Sequence, residues 1–323
     1  MKIAIIGTGA YGLALGSMFS LKNNDIIMWS KFENEVNDLK TNKKFKDIDL
    51  PKNIKYTTDM ELCIKKSDLI VIAIPVAFIK NTIEELKKYY HNTPILIASK
   101  GIEQNTNLFA IDIIKNNMNV KEIGVIAGGT FATDMLKREP MGLTLATSSN
   151  NLKNIVLNTL ENKYLKIQTT KDIIGVEICS SVKNIMAIVS GIIDGLNYGE
   201  STKYLFITEA IYEIRNLINL FSGNKKTILT YAGIDDICMT CSTANSRNYT
   251  LGVLIGNNNS EEDINNYKKE TTIEGLYTTK SFYDLITVKN INCPLISIIY
   301  KILYENEKPT KIIEYLLNKK KTF

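Results

Sequence analysis

Lys183 is the side chain in this sequence best suited to moving a proton, because the segment around it, Ile174 to Leu196, is apolar around most of a helix's girth. Ile178, Val182, Ile185, Val189 and Ile192 form one stripe, and Ile174, Met186, Ile188 and Ile193 widen it. Glu177, Ser180, Ser181, Asn184 and Gly191 remain as a narrow polar or small strip beside the lysine. Burial disfavours a charged ammonium and a neighbouring anion favours it, so a lysine held between these effects can exchange protons near neutral pH. The bland alternative is a lysine whose stem packs while its head snorkels to water. Histidine chemistry is close to excluded, since His91 is alone and sits in the loop-like run Tyr89-Tyr90-His91-Asn92-Thr93-Pro94. Cys238-x-x-Cys241 has no second cysteine pair at zinc spacing, which argues against a structural metal.

Two further patterns carry chemistry. Lys2-Ile3-Ala4-Ile5-Ile6 leads into Gly7-Thr8-Gly9-Ala10-Tyr11-Gly12, a strand, a G-x-G-x-x-G turn and a helix start in immediate succession. In that setting Gly7 permits a tight turn, Gly9 lets the backbone approach a pyrophosphate, and Gly12 lets helix and strand pack closely, with the helix N–H groups facing the phosphates. A bound dinucleotide is implied, and the motif alone leaves FAD open. The next strand ends Met28-Trp29-Ser30-Lys31-Phe32-Glu33, with no acidic residue at its tip. Lys31 is suited to a ribose 2′-phosphate and Glu33 lies a turn too far, so NADPH is favoured with NADH tolerated, unless Lys31 is an ordinary solvated lysine. The last pattern is Ser242-Thr243-Ala244-Asn245-Ser246-Arg247-Asn248, read as a polar turn in which Arg247 grips an anion and Ser246 and Asn248 fill its remaining oxygens.

The elements that must hold these residues follow from patterning over 323 residues, roughly two domain lengths. Short apolar runs at Ile3 to Ile6, Ile26 to Trp29, Leu69 to Ile74, Ile95 to Ala98, Gly124 to Ile126, Leu143 to Ala146 and Leu165 to Gln168 read as strands. They alternate with helical stretches at Tyr11 to Leu21, Ile79 to Tyr89 and Leu108 to Asn116. The fold class is α/β: an N-terminal Rossmann-type doubly wound parallel sheet over residues 1–171, then a mainly α-helical substrate-binding domain over residues 172–323. In the second half, Ile174 to Leu196, Thr202 to Phe221, Leu276 to Ile286 and Pro294 to Tyr304 read as helices, and Asn318 to Lys321 as a solvated tail. A net charge of +5 from 39 basic and 34 acidic side chains is too balanced for a nucleic-acid binder and suits a small anionic substrate. No membrane-length apolar run or export signal is evident, and five scattered cysteines disfavour disulfides, so a cytoplasmic protein with reduced thiols is expected.

With these segments in view, the chain resembles the NAD(P)-dependent glycerol-3-phosphate dehydrogenase family over nearly its full length. The resemblance rests on the fingerprint, Ser99-Lys100-Gly101-Ile102-Glu103, Gly128-Gly129-Thr130-Phe131-Ala132, Gly175-Val176-Glu177, Ser181-Val182-Lys183-Asn184, Asp235-Asp236, Ser246-Arg247-Asn248 and Glu274-Gly275, in that order. It implies reduction of dihydroxyacetone phosphate by NAD(P)H to sn-glycerol 3-phosphate, the backbone of glycerophospholipids. By the same resemblance Lys183 is the catalytic lysine, Lys100 a second cation near cofactor and substrate, and Asp236 the carboxylate orienting them. Gly128, Thr130, Ser246, Arg247 and Asn248 match substrate positions, with Lys100, Lys183 and Asp236 beside them. Ala10, Tyr11, Ala132 and Glu274 match cofactor contacts, with Arg247 facing both ligands. Departures are Ala127 and Gly129 where Ser and Pro are common, Tyr11 for a usual tryptophan, Ser201 for a frequent Asn, and Glu209-Ala210 for Arg-Gly.

The rival readings are a β-hydroxyacid or 6-phosphogluconate type dehydrogenase, which shares this architecture and a lysine acid, and a non-catalytic sensor that binds the dinucleotide without turnover. The expected partner is a phosphorylated small molecule, with a homodimer left open.

Overall fold

The computed structural model describes residues 1–318. Of the tail read at Asn318 to Lys321, all but Asn318 lies outside them. The chain divides into two compact units, Met1–Lys100 with Leu108–Ile173, and Gly101–Asn107 with the residues from Ile174 onward. The segment Gly101–Asn107, read above with the first half, carries no strand or helix element and is grouped with the second.

The first unit is built on ten strands: β1 Lys2–Ile6, β2 Asp25–Trp29, β3 Lys44–Phe45, β4 Ile48–Asp49, β5 Ile54–Thr57, β6 Leu69–Ile72, β7 Ile95–Ile97, β8 Ile123–Ala127, β9 Met141–Thr147 and β10 Leu165–Thr170. Eight of them form one sheet in the order β10-β9-β8-β7-β6-β1-β2-β5, while β3 and β4 form a separate hairpin. Pairing is parallel throughout that sheet except between β8 and β9, which are antiparallel, so β9 and β10 run against the rest. Strands covered on both faces read as continuous apolar runs, which is why β1 and β6 are legible and buried along almost their whole length. Helices α1 Ala10–Ser20, α2 Glu33–Asn42, α3 Met60–Ile64, α4 Ile79–Leu86, α5 Ala110–Asn117, α6 Ala132–Lys137 and α7 Asn150–Leu160 complete the unit. Leu15, Met18 and Phe19 of α1 close a core with Ile3, Ile5, Met28 and Val71. Sheet order reverses beside β1, whose two neighbours are β2 and β6, and a ligand crevice in such folds lies at the carboxyl ends of the strands there.

The second unit is helical: α8 Ile173–Gly195, α9 Glu200–Leu220, α10 Asp236–Cys241, α11 Arg247–Gly256, α12 Glu261–Glu270, α13 Glu274–Val288, α14 Pro294–Tyr304 and α15 Lys311–Asn318. Every residue of α8 from Gly175 to Ile193 is buried. By length and composition alone α8 could cross a membrane, a departure from the expectation above, but 89% of its most apolar window is buried inside the protein.

Glycines seat α11 on α8. A Cβ on Gly191 would lie 2.0 Å from the Tyr249 carbonyl oxygen, and one on Gly252 would lie 2.1 Å from that of Ile188. Gly195 and Gly256 repeat the contact one turn on, so two four-residue glycine spacings face each other and the backbones nearly touch. Gly191→Ala must push the helices apart, and is expected to cost about 1–3 kcal/mol, read as a lowered melting temperature. Gly252→Ala strains the same crossing, so the double variant should lose less than the two single losses added together.

Candidate active site

The fingerprint turn divides its glycines by what each is for. Gly7 has φ +121°, and a Cβ there would lie 2.4 Å from the Ala73 carbonyl oxygen; one on Gly12 would lie 2.4 Å from that of Gly7. Both are required by the protein's own backbone. Gly9 has φ −64° and ψ 168°, which any residue adopts, and its Cβ would meet nothing within 4 Å. Its lack of a side chain serves no internal contact and leaves open space over the turn. No side chain caps α1, so its first N–H groups and the positive end of its dipole face that space. The residues present therefore fit a dinucleotide pyrophosphate.

Tyr11, one residue into α1, links this turn to the ends of two other strands. Lys100, after β7, holds its ammonium 5.2 Å from the centre of the Tyr11 ring. Thr130, after β8 and buried, has its Oγ1 3.5 Å from the Tyr11 hydroxyl, to which it donates. Gly128 is buried and a Cβ there would meet the Gly142 carbonyl oxygen at 2.5 Å, while Ala132 opens α6 and is half-buried against the core. Ser99 is turned away, donating to the Ile74 carbonyl at 2.6 Å.

Lys31 is exposed just past β2. Glu35, which the sequence reading passed over, comes from the first turn of α2. Its Oε2 accepts from the Thr8 hydroxyl at 2.7 Å and from the Ser30 hydroxyl at 2.6 Å. Glu33 opens α2 and is exposed.

In the second unit, Lys183 Nζ donates to Asp236 Oδ1 and, at 3.2 Å, to the Thr240 hydroxyl. Lys183 is 5% exposed and Asp236 is fully buried. Thr240 in turn donates to the Asp236 carbonyl at 2.6 Å, one turn back along α10, which locks the carboxylate's helix under the lysine. A charge pair this deep is retained at a desolvation cost that core residues of the same size would not incur.

Beside it runs an amide relay. Gly275 N–H donates to Asn248 Oδ1 at 2.9 Å, Asn248 Nδ2 to Asn184 Oδ1 at 3.1 Å, and Asn184 Nδ2 to Glu274 Oε2 at 3.1 Å. Asn184 follows Lys183 directly, so α8, α11 and α13 are tied at the level of the ion pair. Of the run Ser242 to Asn248, read above as a polar turn, Ser242 to Ser246 do form the connection after α10, while Arg247 and Asn248 are corrected: they open α11. Ser246 is its N-cap, the hydroxyl accepting from Tyr249 N–H at 3.3 Å. Both ends of the Asn248 amide are thus spent on neighbours, and of the three residues only Arg247 is exposed. Thr240 and Glu35 were not singled out from sequence, and Asn184 was named in the polar strip and a family motif without a role of its own. Asn184 and Thr240 lie beside residues that were singled out, and Glu35 follows Gly12 by about the twenty residues expected of a ribose-binding acid.

A Gly-rich turn at the carboxyl end of β1 open to a dinucleotide, with a helical unit carrying a buried lysine and carboxylate, defines the class as a two-unit NAD(P)-dependent dehydrogenase. Residues 2–153 match the family described as NAD-dependent glycerol-3-phosphate dehydrogenase N-terminus, and residues 172–314 match its C-terminus. The chain belongs to the NAD-dependent glycerol-3-phosphate dehydrogenase family. It is 30% identical to the glycerol-3-phosphate dehydrogenase (NAD(P)+) of Staphylococcus epidermidis over 328 aligned residues, 99% of this chain and 98% of that protein. The Staphylococcus aureus enzyme of the same name is also 30% identical, with the same coverage. The solved glycerol-3-phosphate dehydrogenase of Coxiella burnetii superposes with a TM-score of 0.91 at 27% identity, covering 98% of this chain and 99% of that one. That of Plasmodium falciparum, at 24% identity and a TM-score of 0.90 over 100% of this chain and 97% of its own, shares the fold.

Proposed function

We propose that the chain interconverts dihydroxyacetone phosphate and sn-glycerol 3-phosphate, supplying the glycerol backbone of phospholipids, with Lys183 as general acid. The observation that carries this reading is the buried pair of Lys183 and Asp236. When bound, the reduced nicotinamide supplies the hydride that the ketone carbon takes up. Negative charge then develops on the carbonyl oxygen, and the Lys183 ammonium stabilises it and hands over a proton, so that C=O becomes CH–OH. Asp236 and Thr240 keep the amine charged and aimed before that step, which avoids reorganisation during it. By the family resemblance Lys100 is a second cation serving the same reaction. Arg247 takes the substrate phosphate through parallel N–H donors, helped by the N-terminal amides of α11. In the reverse direction the neutral amine accepts the alcohol proton.

The test is purified protein with NADH or NADPH and dihydroxyacetone phosphate, followed by loss of reduced-nicotinamide absorbance. Consumption with this ketone and none with 6-phosphogluconate or β-hydroxyacids in the oxidative direction supports the reading. Turnover of the carboxylate substrates alone, or saturable cofactor binding with no consumption, overturns it.

A further inference from the structure

We propose that Glu35 sets the choice between the two nicotinamides and turns it toward NADH. The inference rests on the reading that a dinucleotide occupies the Gly7 to Gly12 turn. A dinucleotide so bound puts its adenosine ribose against that turn and the end of the second strand, and the group at the ribose 2′ position is what tells NADH from NADPH.

Glu35 joins those two segments. Thr8 stands between Gly7 and Gly9, and Ser30 follows Trp29, the last residue of β2. Both hydroxyls donate to the same carboxylate oxygen, Oε2, at 2.7 and 2.6 Å. Thr8 is 9% exposed and Ser30 is 4% exposed, so the anchors are buried, while Glu35 itself is exposed. Among the described residues Oε1 carries no hydrogen bond. One oxygen is therefore pinned by the cofactor-binding turn and the other is left to accept from outside the protein. A ribose 2′-hydroxyl can donate to it. A 2′-phosphate cannot donate when ionised, and it brings like charge against like.

A glutamate in the first turn of a helix needs no ligand to explain it, since it favours the positive end of the dipole. Glu33 fills that role in α2 without tying itself to the fingerprint. What sets Glu35 apart is the pair of buried hydroxyls drawn from elements 27 and 5 residues away in sequence. Lys31, assigned above to a 2′-phosphate, is exposed, and among the described residues no ion pair or hydrogen bond fixes its ammonium. A surface cation without a fixing partner discriminates less than an anchored anion.

Equilibrium titration of the full chain with NADH and with NADPH, by calorimetry, tests this without turnover. The parent should bind NADH at least about tenfold more tightly, a difference of roughly 1.4 kcal/mol. Glu35→Gln keeps the shape and removes the charge, and should tighten NADPH and weaken NADH so that the ratio of dissociation constants moves by about tenfold or more. Ser30→Ala frees one anchor and should move the ratio the same way by less. Lys31→Ala should change NADPH binding by under threefold. A parent that prefers NADPH overturns the proposal, as does a Glu35→Gln variant in which both constants change by one common factor, the mark of a structural role. Loss of NADPH binding in Lys31→Ala with Glu35→Gln silent returns the choice to the lysine. A parent that binds neither cofactor removes the fingerprint reading itself, and this proposal with it.

Discussion

Lys183→Ala is expected to lower turnover of dihydroxyacetone phosphate by about three orders of magnitude or more, the upper range for a positioned proton donor, while reduced nicotinamide still binds. The difficulty in reading such a variant is Asp236. It is fully buried, and its described partners include the Lys183 ammonium and the Thr240 hydroxyl. Removing the lysine strands a carboxylate in the interior, which costs about 3–5 kcal/mol when one partner of a buried pair is deleted. Part of any activity loss could then be loss of folded protein. A double variant, Lys183→Met with Asp236→Leu, separates the two effects, because replacing both charges by apolar groups of similar size is neutral or stabilising. It should melt near the parent temperature, bind the cofactor, and still turn over no faster than the single variant. If either variant kept more than a tenth of the parent turnover, Lys183 would not be the acid.

How far this arrangement could be seen in the sequence depended on whether the information was local. The fingerprint is local: strand, turn and helix start lie within twelve residues, and the sheet strands nearest it are continuous apolar runs because both faces are covered. The apolar girth of α8 is equally local. Strand β5 was missed because Ile54-Lys55-Tyr56-Thr57 is only four residues long and half polar, and the reversal of β9 leaves no mark on its composition. The start of α11, Arg247 and Asn248, reads in sequence as the end of a polar turn, and α10 and the rest of α11 carry no helical signal, for a physical reason. Thr, Ser, Asn and Cys are indifferent helix formers, and these short helices are held by tertiary means, by Ser246 as cap and by Gly252 and Gly256 against α8.

The ion pair illustrates the same limit in the site. Lys183 could be suspected from its oily surroundings, but nothing in spacing pairs it with a residue 53 positions away, and Asp236 came only through the family resemblance. Thr240 had no such guide. It lies one turn after Asp236, and its part in holding the lysine depends on that turn being helical. Glu35 is illegible at the tip of β2, where a ribose-binding acid is usually sought, because the carboxylate that reaches the fingerprint comes from the first turn of the following helix.

The second large effect should fall on substrate affinity. Arg247→Ala is expected to raise the KM for dihydroxyacetone phosphate by about 10- to 150-fold per charged hydrogen bond lost, taking 1.5–3 kcal/mol for each. The residues on either side are already committed, Ser246 to the start of α11 and Asn248 to Asn184 and Gly275. Those contacts hold the backbone of Arg247 while leaving its guanidinium exposed, so truncating it should shift stability by no more than about 0.5 kcal/mol. The variant thus tests recognition with the fold intact. Arg247→Lys should recover only part of the affinity, because a point charge cannot offer the two parallel N–H donors of the guanidinium. Raising salt should weaken the parent's grip on the substrate more than the alanine variant's, since only the parent loses a screened charge. A KM in Arg247→Ala within threefold of the parent would shift phosphate recognition onto the N-terminal amides of α11, whose bonds to an anion do not depend on that side chain.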